Sequence, residues 1–447
     1  MVMRSPRGRS SVVGFMDETI KLADQHRQRL LSWAWSGLET TVAQGAVQAL
    51  GLGAGVLIIR FLSPREYAFY TIATAGLGMM SVLTDGGIGS SVLALGGAVW
   101  QDKVRFGVVI ASGISLRRQF SRFALALGIP LMVVLLRRQG ATWTESVLVA
   151  LSVVPVFQAT VTGHLLEAVP RLHQTLRSLQ LLQMAGGAGR LVLVAAVVPL
   201  WPLATLANLV AAIPQWYMNR RLRIVADSRV DWRGPGTAEV AGRMMSQVRR
   251  TLPGAIYYAF SGQLSVWLIS LFGRSESVAA VGALGRPAII FTVLGIAFNA
   301  LAVPRFARIP AGQHHHVRAR YFQSQLAFVL VCALLLALLA ALAGPVLSVL
   351  GPHYTGLQHE LVLMGLAGSI ATGAGAAYSL GAARGIVAPA AVVIPLSILL
   401  QIALIAGLPL SSVSGVLWVA ILSALGQWLV YLAYFEWHYR DGAASCT

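Results

Sequence analysis

Four ionisable residues interrupt apolar stretches of this chain that would otherwise read as uniform. Arg60 closes the run 38–62, Asp85 breaks the run 67–96 beside Gly86, Gly87 and Gly89, Arg190 lies in 177–199, and Arg286 lies in 277–304. A charge at membrane depth is costly, usually faces a protein interior or a wet cavity, and marks a functional position by default. Each has a plainer alternative. The arginines could be paired structurally or snorkel to the surface. Asp85 could pair with a basic group or cap a helix beside its glycines instead of relaying a proton or sodium ion. His164 and Glu167 sit one helical turn apart near the end of the run 146–169, where they could bind a proton or form an interfacial pair.

The elements that must position these residues follow from hydropathy. The chain has 447 residues, 56% hydrophobic and only 11% charged, with mean hydropathy +0.71. A soluble domain carries roughly a quarter charged residues, so an all-α polytopic membrane protein is expected. Runs long enough to span are 38–62, 67–96, 119–136, 146–169, 177–199 and 202–218, then 251–273, 277–304, 322–343, 358–382, 386–407 and 412–435. That is about 12 transmembrane helices in two six-helix lobes, 38–218 and 251–435. A basic N-terminal segment (1–37), a basic linker (219–250) and a short tail (436–447) complete the layout. Val104–Leu116, just before the third run, could instead lie along the interface. Asp17–Leu31 could form a short surface helix or a frayed tail, and no signal-peptide pattern is present.

Most of the 34 Lys and Arg fall in the connections that share a side with both termini, and the positive-inside rule makes that side cytoplasmic. The opposite connections are short and hold Arg60, Arg65, Arg137, Arg138 and Arg274. The net charge of +18 is spread between spans, not gathered on one domain, so no nucleic-acid partner is expected. At about 1.5 Å per residue, Arg190 lies about 20 Å in from Arg177, and Arg286 about 14 Å in from Ser277 on the other face. In a core of about 30 Å those depths are similar. The same counting puts Asp85 about 27 Å into its span, near the inner end.

The stretch IIRFLSPREYAFYTIATAGLGMMSVLTDGGIGSSV (58–92) resembles the opening hairpin of the bacterial O-antigen and exopolysaccharide flippases, within the multidrug/oligosaccharidyl-lipid/polysaccharide (MOP) superfamily. Arg60, Leu62, Pro64, Glu66, Tyr67, Tyr70, Asp85 and Gly87 fill that family's places, with departures at Ser63, Arg65 and Ala68. Leu165–Gln183 and Val281–Arg308 resemble its fourth-to-fifth link and its eighth span. The resemblance implies a MATE-like fold and a flippase of the bacterial inner membrane with both termini cytoplasmic. Its substrate would be an undecaprenyl-pyrophosphate-linked oligosaccharide, moved to the outer leaflet for surface polysaccharide synthesis by alternating access. A pyrophosphate head needs a wet, cationic cavity. Arg suits it because the planar fork binds phosphate oxygens bidentately and stays charged. Arg60, Arg190 and Arg286 are therefore the expected binding groups, Asp85 the ion-coupling candidate, and His164 and Glu167 weaker candidates.

Expected partners are the lipid-linked substrate, membrane lipids, a proton or sodium ion, and other polysaccharide-assembly membrane proteins. No cofactor is expected. No Walker A loop, HExxH or metal spacing is present, and Cys332 and Cys446 make no disulfide framework. His314–His316 reads as a solvated loop. Three rival readings stand: a multidrug antiporter of the same superfamily, a membrane polymerase or glycosyltransferase, and a scaffold without flipping. The first would want an anionic or aromatic cavity, and the second a sizeable outer loop or a carboxylate at an outer mouth.

Overall fold

The computed structural model describes residues 43–232, 234, 236–310 and 314–444. The expected surface helix Asp17–Leu31, the start of the first run, Arg233 and Cys446 lie outside the described residues. In chain order the first half holds α1 (Ala43–Phe61), α2 (Pro64–Asp85), α3 (Ile88–Val99), α4 (Lys103–Arg138), α5 (Trp143–Leu166), α6 (Ala168–Leu172), α7 (Leu176–Val197) and α8 (Ala204–Asp227). The second half holds α9 (Ala238–Ser261), α10 (Leu264–Phe272), α11 (Ser275–Leu284), α12 (Ile289–Ala307), α13 (His314–Ala341), α14 (Ala343–Leu350), α15 (Gln358–Ala382), α16 (Ala390–Gly407) and α17 (Val413–Ala444). No strand occurs among the described residues, as hydrocarbon demands of a chain that must satisfy every backbone group internally.

Ten of these helical stretches are long and apolar enough to cross a membrane, and the pair α9–α10, bent by 45°, makes an eleventh. At the sixth expected place α8 is a full 24-residue helix. It falls short of the same measure because Asn208, Gln215 and Asn219 punctuate it and Arg220, Arg221 and Arg223 end it.

The ends of the helices are written in the sequence. Ser63 caps α2 by accepting from the Glu66 amide, with Pro64 in the first turn. The Glu66 carboxylate accepts in turn from the Ala204 amide at 2.8 Å, so one acid satisfies the exposed start of α8 as well. Asp102 caps α4. Thr142 and Glu145 form a capping box on α5, and Glu145 also accepts from Arg65.

Three expectations are corrected. The run 67–96 is not one span: α2 stops at Asp85 because Gly86 and Gly87 take φ of +45° and +98°, and α3 starts afresh at Ile88. Val104–Leu116 is not a separate interfacial piece. Nothing between Leu116 and Gln119 breaks the helix, so α4 runs unbroken for 36 residues. The basic stretch 219–250 is mostly the projecting ends of α8 and α9, with a short connection between them.

Within the first half, α8 packs on α5 and α7, and α2 on α4. The second half repeats the pattern, with α17 on α15 and α16. The halves meet where α11 packs on α2, and again at both ends of the bundle. At the end of the bundle that carries the basic stretch, α9 packs on α2, α3 and α4, and Thr251 Oγ1 donates to the Gly86 carbonyl at 2.8 Å. At the far end Gln139, buried after α4, donates from Nε2 to the carbonyls of Ser270 (2.8 Å) and Gly273 (3.1 Å). Its own Oε1 accepts from Ser275 Oγ at 3.0 Å.

Candidate functional site: two arginines on one tyrosine

Tyr70, on the innermost helix α2, is almost wholly buried. Arg190, midway along α7, donates from Nη2 to its hydroxyl at 3.1 Å. Arg286 comes from the second half and lies beside both Tyr67 and Tyr70. A local break in the chain delivers it. Pro287 has no N–H and disfavours helix for the residue before it, so α11 ends at Leu284 and α12 begins only at Ile289. Gly285 to Ala288 bridge the gap with short turns, Arg286 N to Ala283 O at 3.1 Å and Ile289 N to Arg286 O at 3.3 Å. On α1, Gly55 leaves room for the arginine arm: a Cβ there would stand 3.3 Å from Arg286 Cδ.

The cluster is rich in positive charge and poor in acceptors. Among the described residues no carboxylate lies within ion-pair distance of Arg190 or Arg286. Arg190 Nε and the Tyr67 hydroxyl are buried without a hydrogen-bond partner. Such unmet groups carry the full cost of desolvation. A ligand offering several anionic oxygens would meet it.

A cavity of about 400 Å³ opens beside Arg190 among α1, α2, α5, α7 and α8. Tyr70, Thr74 and Asn208 line its deep part, and Gln44, His164, Glu167 and Gln183 the part toward the basic end. Glu167 is buried and held: it accepts from Arg171 at 2.6 Å and from Gln183 at 3.1 Å. Gln183 accepts in turn from Gln44 at 3.1 Å, which ties α1 to α7. His164 and Glu167 also line a second cavity, of about 370 Å³, with Asp85, Ser90, Arg117 and Arg171.

Asp85 is ion-paired with Arg117 and accepts from the Gly89 amide at 3.2 Å, so it also caps the start of α3. The Arg117 side chain is only 4% exposed and donates to the Val161 carbonyl at 2.6 Å. Arg60 stands apart from all of these. It is exposed at the far end and donates to the Ser348 carbonyl of α14 at 3.4 Å, linking the two halves there.

The structure thus puts Arg190, His164 and Glu167 on one cavity wall, sets Arg286 beside Tyr70 without lining either cavity, seats Asp85 in the neighbouring cavity, and leaves Arg60 outside both. Sequence reasoning did not assign a role to Tyr70, Arg117 or the amide side chains. Tyr70 was visible only as a motif aromatic, and Arg117 counted only toward the positive end. No group of three or more His, Cys, Asp or Glu among the described residues could hold a metal ion. Residues 314–316 begin α13 rather than forming a loop.

No family model matches the chain, and no curated protein matches it. Solved structures do. The chain is similar to an inward-facing multidrug resistance MATE family transporter of the MOP superfamily, with TM-score 0.66, 11% identity, and 88% of this chain and 95% of that one covered. An outward-facing MATE transporter gives TM-score 0.63, 12% identity, and 91% and 94% coverage. A MOP superfamily transporter from Pyrococcus furiosus, described as having a binding pocket of reverse polarity, gives TM-score 0.58, 11% identity, and 90% and 94% coverage. The fold is therefore that of the MATE-like transporters of the MOP superfamily, all-helical and multi-pass.

Proposed function

We propose that the chain is a membrane transporter whose two arginines grip the pyrophosphate of a polyprenyl-linked oligosaccharide and carry it between leaflets. One observation carries the reading: Arg190 and Arg286, from opposite halves, converge on Tyr70 with no carboxylate partner among the described residues. Two unneutralised cations at membrane depth are tolerable chiefly where an anion visits them. The Tyr70 phenol serves as a neutral spacer between the two forks, and a pyrophosphate with its bidentate oxygens fits both. The polar cavity beside Arg190 has room for a hydrophilic head, while a lipid tail can stay in the bilayer. On this reading the basic end faces the cytoplasm, the membrane is the bacterial inner membrane, and the halves alternate access.

A multidrug antiporter of the same fold is the second reading, favoured by the multidrug transporters that share the fold and by Glu167 on the cavity wall. That carboxylate is engaged by Arg171 and Gln183, which weighs against its holding a cationic drug.

The test is export. Arg190→Ala and Arg286→Ala should each leave normally abundant, inserted protein that no longer exports polysaccharide. Lys at either place should recover part of the activity, since it keeps charge but loses the fork. Immunoblotting beside a surface-polysaccharide assay reads both quantities. Two abundant Ala variants that export normally would remove the pyrophosphate reading.

A further inference from the structure

A second polar cluster lies in the other half, away from the arginines. The hydroxyls of Tyr258 on α9 and Tyr431 on α17 share a hydrogen bond of 2.8 Å. Gln427 Nε2 donates to both, at 3.0 and 3.3 Å. Gln401 on α16 donates to the Tyr257 hydroxyl at 3.2 Å. Tyr378 on α15 packs its ring 5.5 Å from that of Tyr431. By helical rise, Gln427 lies about 21 Å from the far end of α17 and Gln401 about 16 Å from the basic end of α16. Both depths fall inside a hydrocarbon core of about 30 Å.

Tyrosines in a membrane belt point their hydroxyls outward, one by one, to the headgroups. These do the reverse. The hydroxyls of Tyr257, Tyr258 and Tyr431 turn toward each other or toward two amides, yet Tyr258 remains 45% exposed and the neighbouring Tyr378 44% exposed. Their position explains the exposure. α9 begins against α2, α3 and α4 of the first half and reaches the second half at Tyr257 and Tyr258. Gln263, at the bend after α9, lies where a Cβ on Gly78 would be 3.0 Å from its amide nitrogen. Gly78 adjoins Leu77 of the cavity wall, and Tyr258 is about 8 Å along the helix from Gln263. The rings therefore lie on and around α9, the helix that packs on both halves.

The chemistry of this face is aromatic and neutral. Ring faces with hydroxyl and amide rims stack on the C–H faces of pyranose rings and bond their hydroxyls, combining an apolar body with a polar handle. An organic cation would call for a carboxylate, and among the described residues none is hydrogen-bonded to these tyrosines or amides. We propose that this tyrosine–glutamine face holds the sugar rings of the substrate's head group while Arg190 and Arg286 hold its pyrophosphate. The inference rests on the transport reading above and names the part of the substrate that the second half recognises.

Binding to the purified full-length protein tests it, with two probes: undecaprenyl pyrophosphate, and lipid-linked oligosaccharide extracted from cells that lack this protein. Tyr378 is exposed and makes only a ring contact, so Tyr378→Leu tests the face with little demand on folding. It should weaken the glycosylated probe roughly threefold to tenfold, the value of one aromatic contact, and leave the bare lipid unchanged. Tyr378→Phe, which keeps the ring and loses only the hydroxyl, should weaken the glycosylated probe less than Tyr378→Leu does. Equal weakening of both probes, or no weakening of either while both still depend on Arg190, would overturn the sugar face and leave the transport reading standing. A wild-type protein that binds neither probe would overturn both. Loss of binding to a cationic dye such as rhodamine 6G in Tyr378→Leu, with the glycosylated probe unaffected, would overturn the sugar face in favour of a drug site.

Discussion

Arg286→Met removes one of two facing charges and keeps most of the volume. Arg190 donates to the Tyr70 hydroxyl and Arg286 lies beside the same ring, so roughly 8 Å is a working separation for the two charges. At an effective dielectric of about 20 their repulsion is about 2 kcal/mol. The variant also loses its contact with two phenols, which offsets part of that relief. The melting temperature of the ligand-free protein should therefore stay level or rise, against the usual destabilisation from altering a buried residue. Ligand should reverse the order. A guanidinium-to-phosphate hydrogen bond contributes about 1.5–3 kcal/mol, so undecaprenyl pyrophosphate should bind roughly 10- to 150-fold more weakly. At a hundred times the wild-type Kd the wild type gains about 2.7 kcal/mol from ligand, and a variant weakened thirtyfold gains less than about 1 kcal/mol. Thermal unfolding of purified protein with and without the lipid reads both effects. A ligand-free variant melting several degrees lower, with the ligand gain intact, would refute the reasoning and make Arg286 a structural residue.

Three further outcomes follow from the same contacts. Asp85→Asn leaves Arg117 as a buried unpaired charge, at a cost of about 3–5 kcal/mol, so immunoblots should show depleted protein and Asp85→Asn with Arg117→Met should recover it. An abundant Asp85→Asn protein that cannot export would instead assign Asp85 to ion coupling. Gly87→Ala places a Cβ at φ +98° and into the Thr251 side chain, and should lower stability by about 1–2 kcal/mol from the backbone alone. Adding Thr251→Ala should relieve only the clash, as a thermal melt of both variants will read. Reporter fusions after Arg118, Arg233, His315 and the C-terminus should report cytoplasm, and those at Gly140 and Gly356 the outside. A fusion after Arg233 that reports the outside would invert the whole orientation.

Much of this arrangement was legible before any coordinates, and the gaps have physical causes. Helical rise alone put Arg190 and Arg286 at similar depth, and they do meet. Their meeting point was hidden because a tyrosine in an apolar run reads as core until a charge is found against its hydroxyl. The break after Asp85 was visible as Gly86–Gly87, but glycines are also common inside membrane helices, so hydropathy ran straight through it. Arg117 looked like one more charge at the positive end, and only the packing of α4 on α2 and α5 makes it the buried partner of Asp85. The tyrosine–glutamine cluster was the least accessible. Its bonds from α9 join residues 144 to 173 positions apart along the chain, and no local pattern encodes such a meeting.

Gln139 reaches from the first half into a single turn of the second, touching Ser270, Gly273 and Ser275 with one side chain. Three bonds converging on one amide behave as a pivot, permitting rotation but little sliding. A second far-end hydrogen bond between the halves, Arg60 to the Ser348 carbonyl, is long and exposed, so any tilt of the halves would break it before the Gln139 contacts. A tilt of about 10° around the Gln139 corner would sweep the basic end, about 30 Å away, through about 5 Å. That displacement is enough to part Thr251 from Gly86 while leaving the corner itself unchanged.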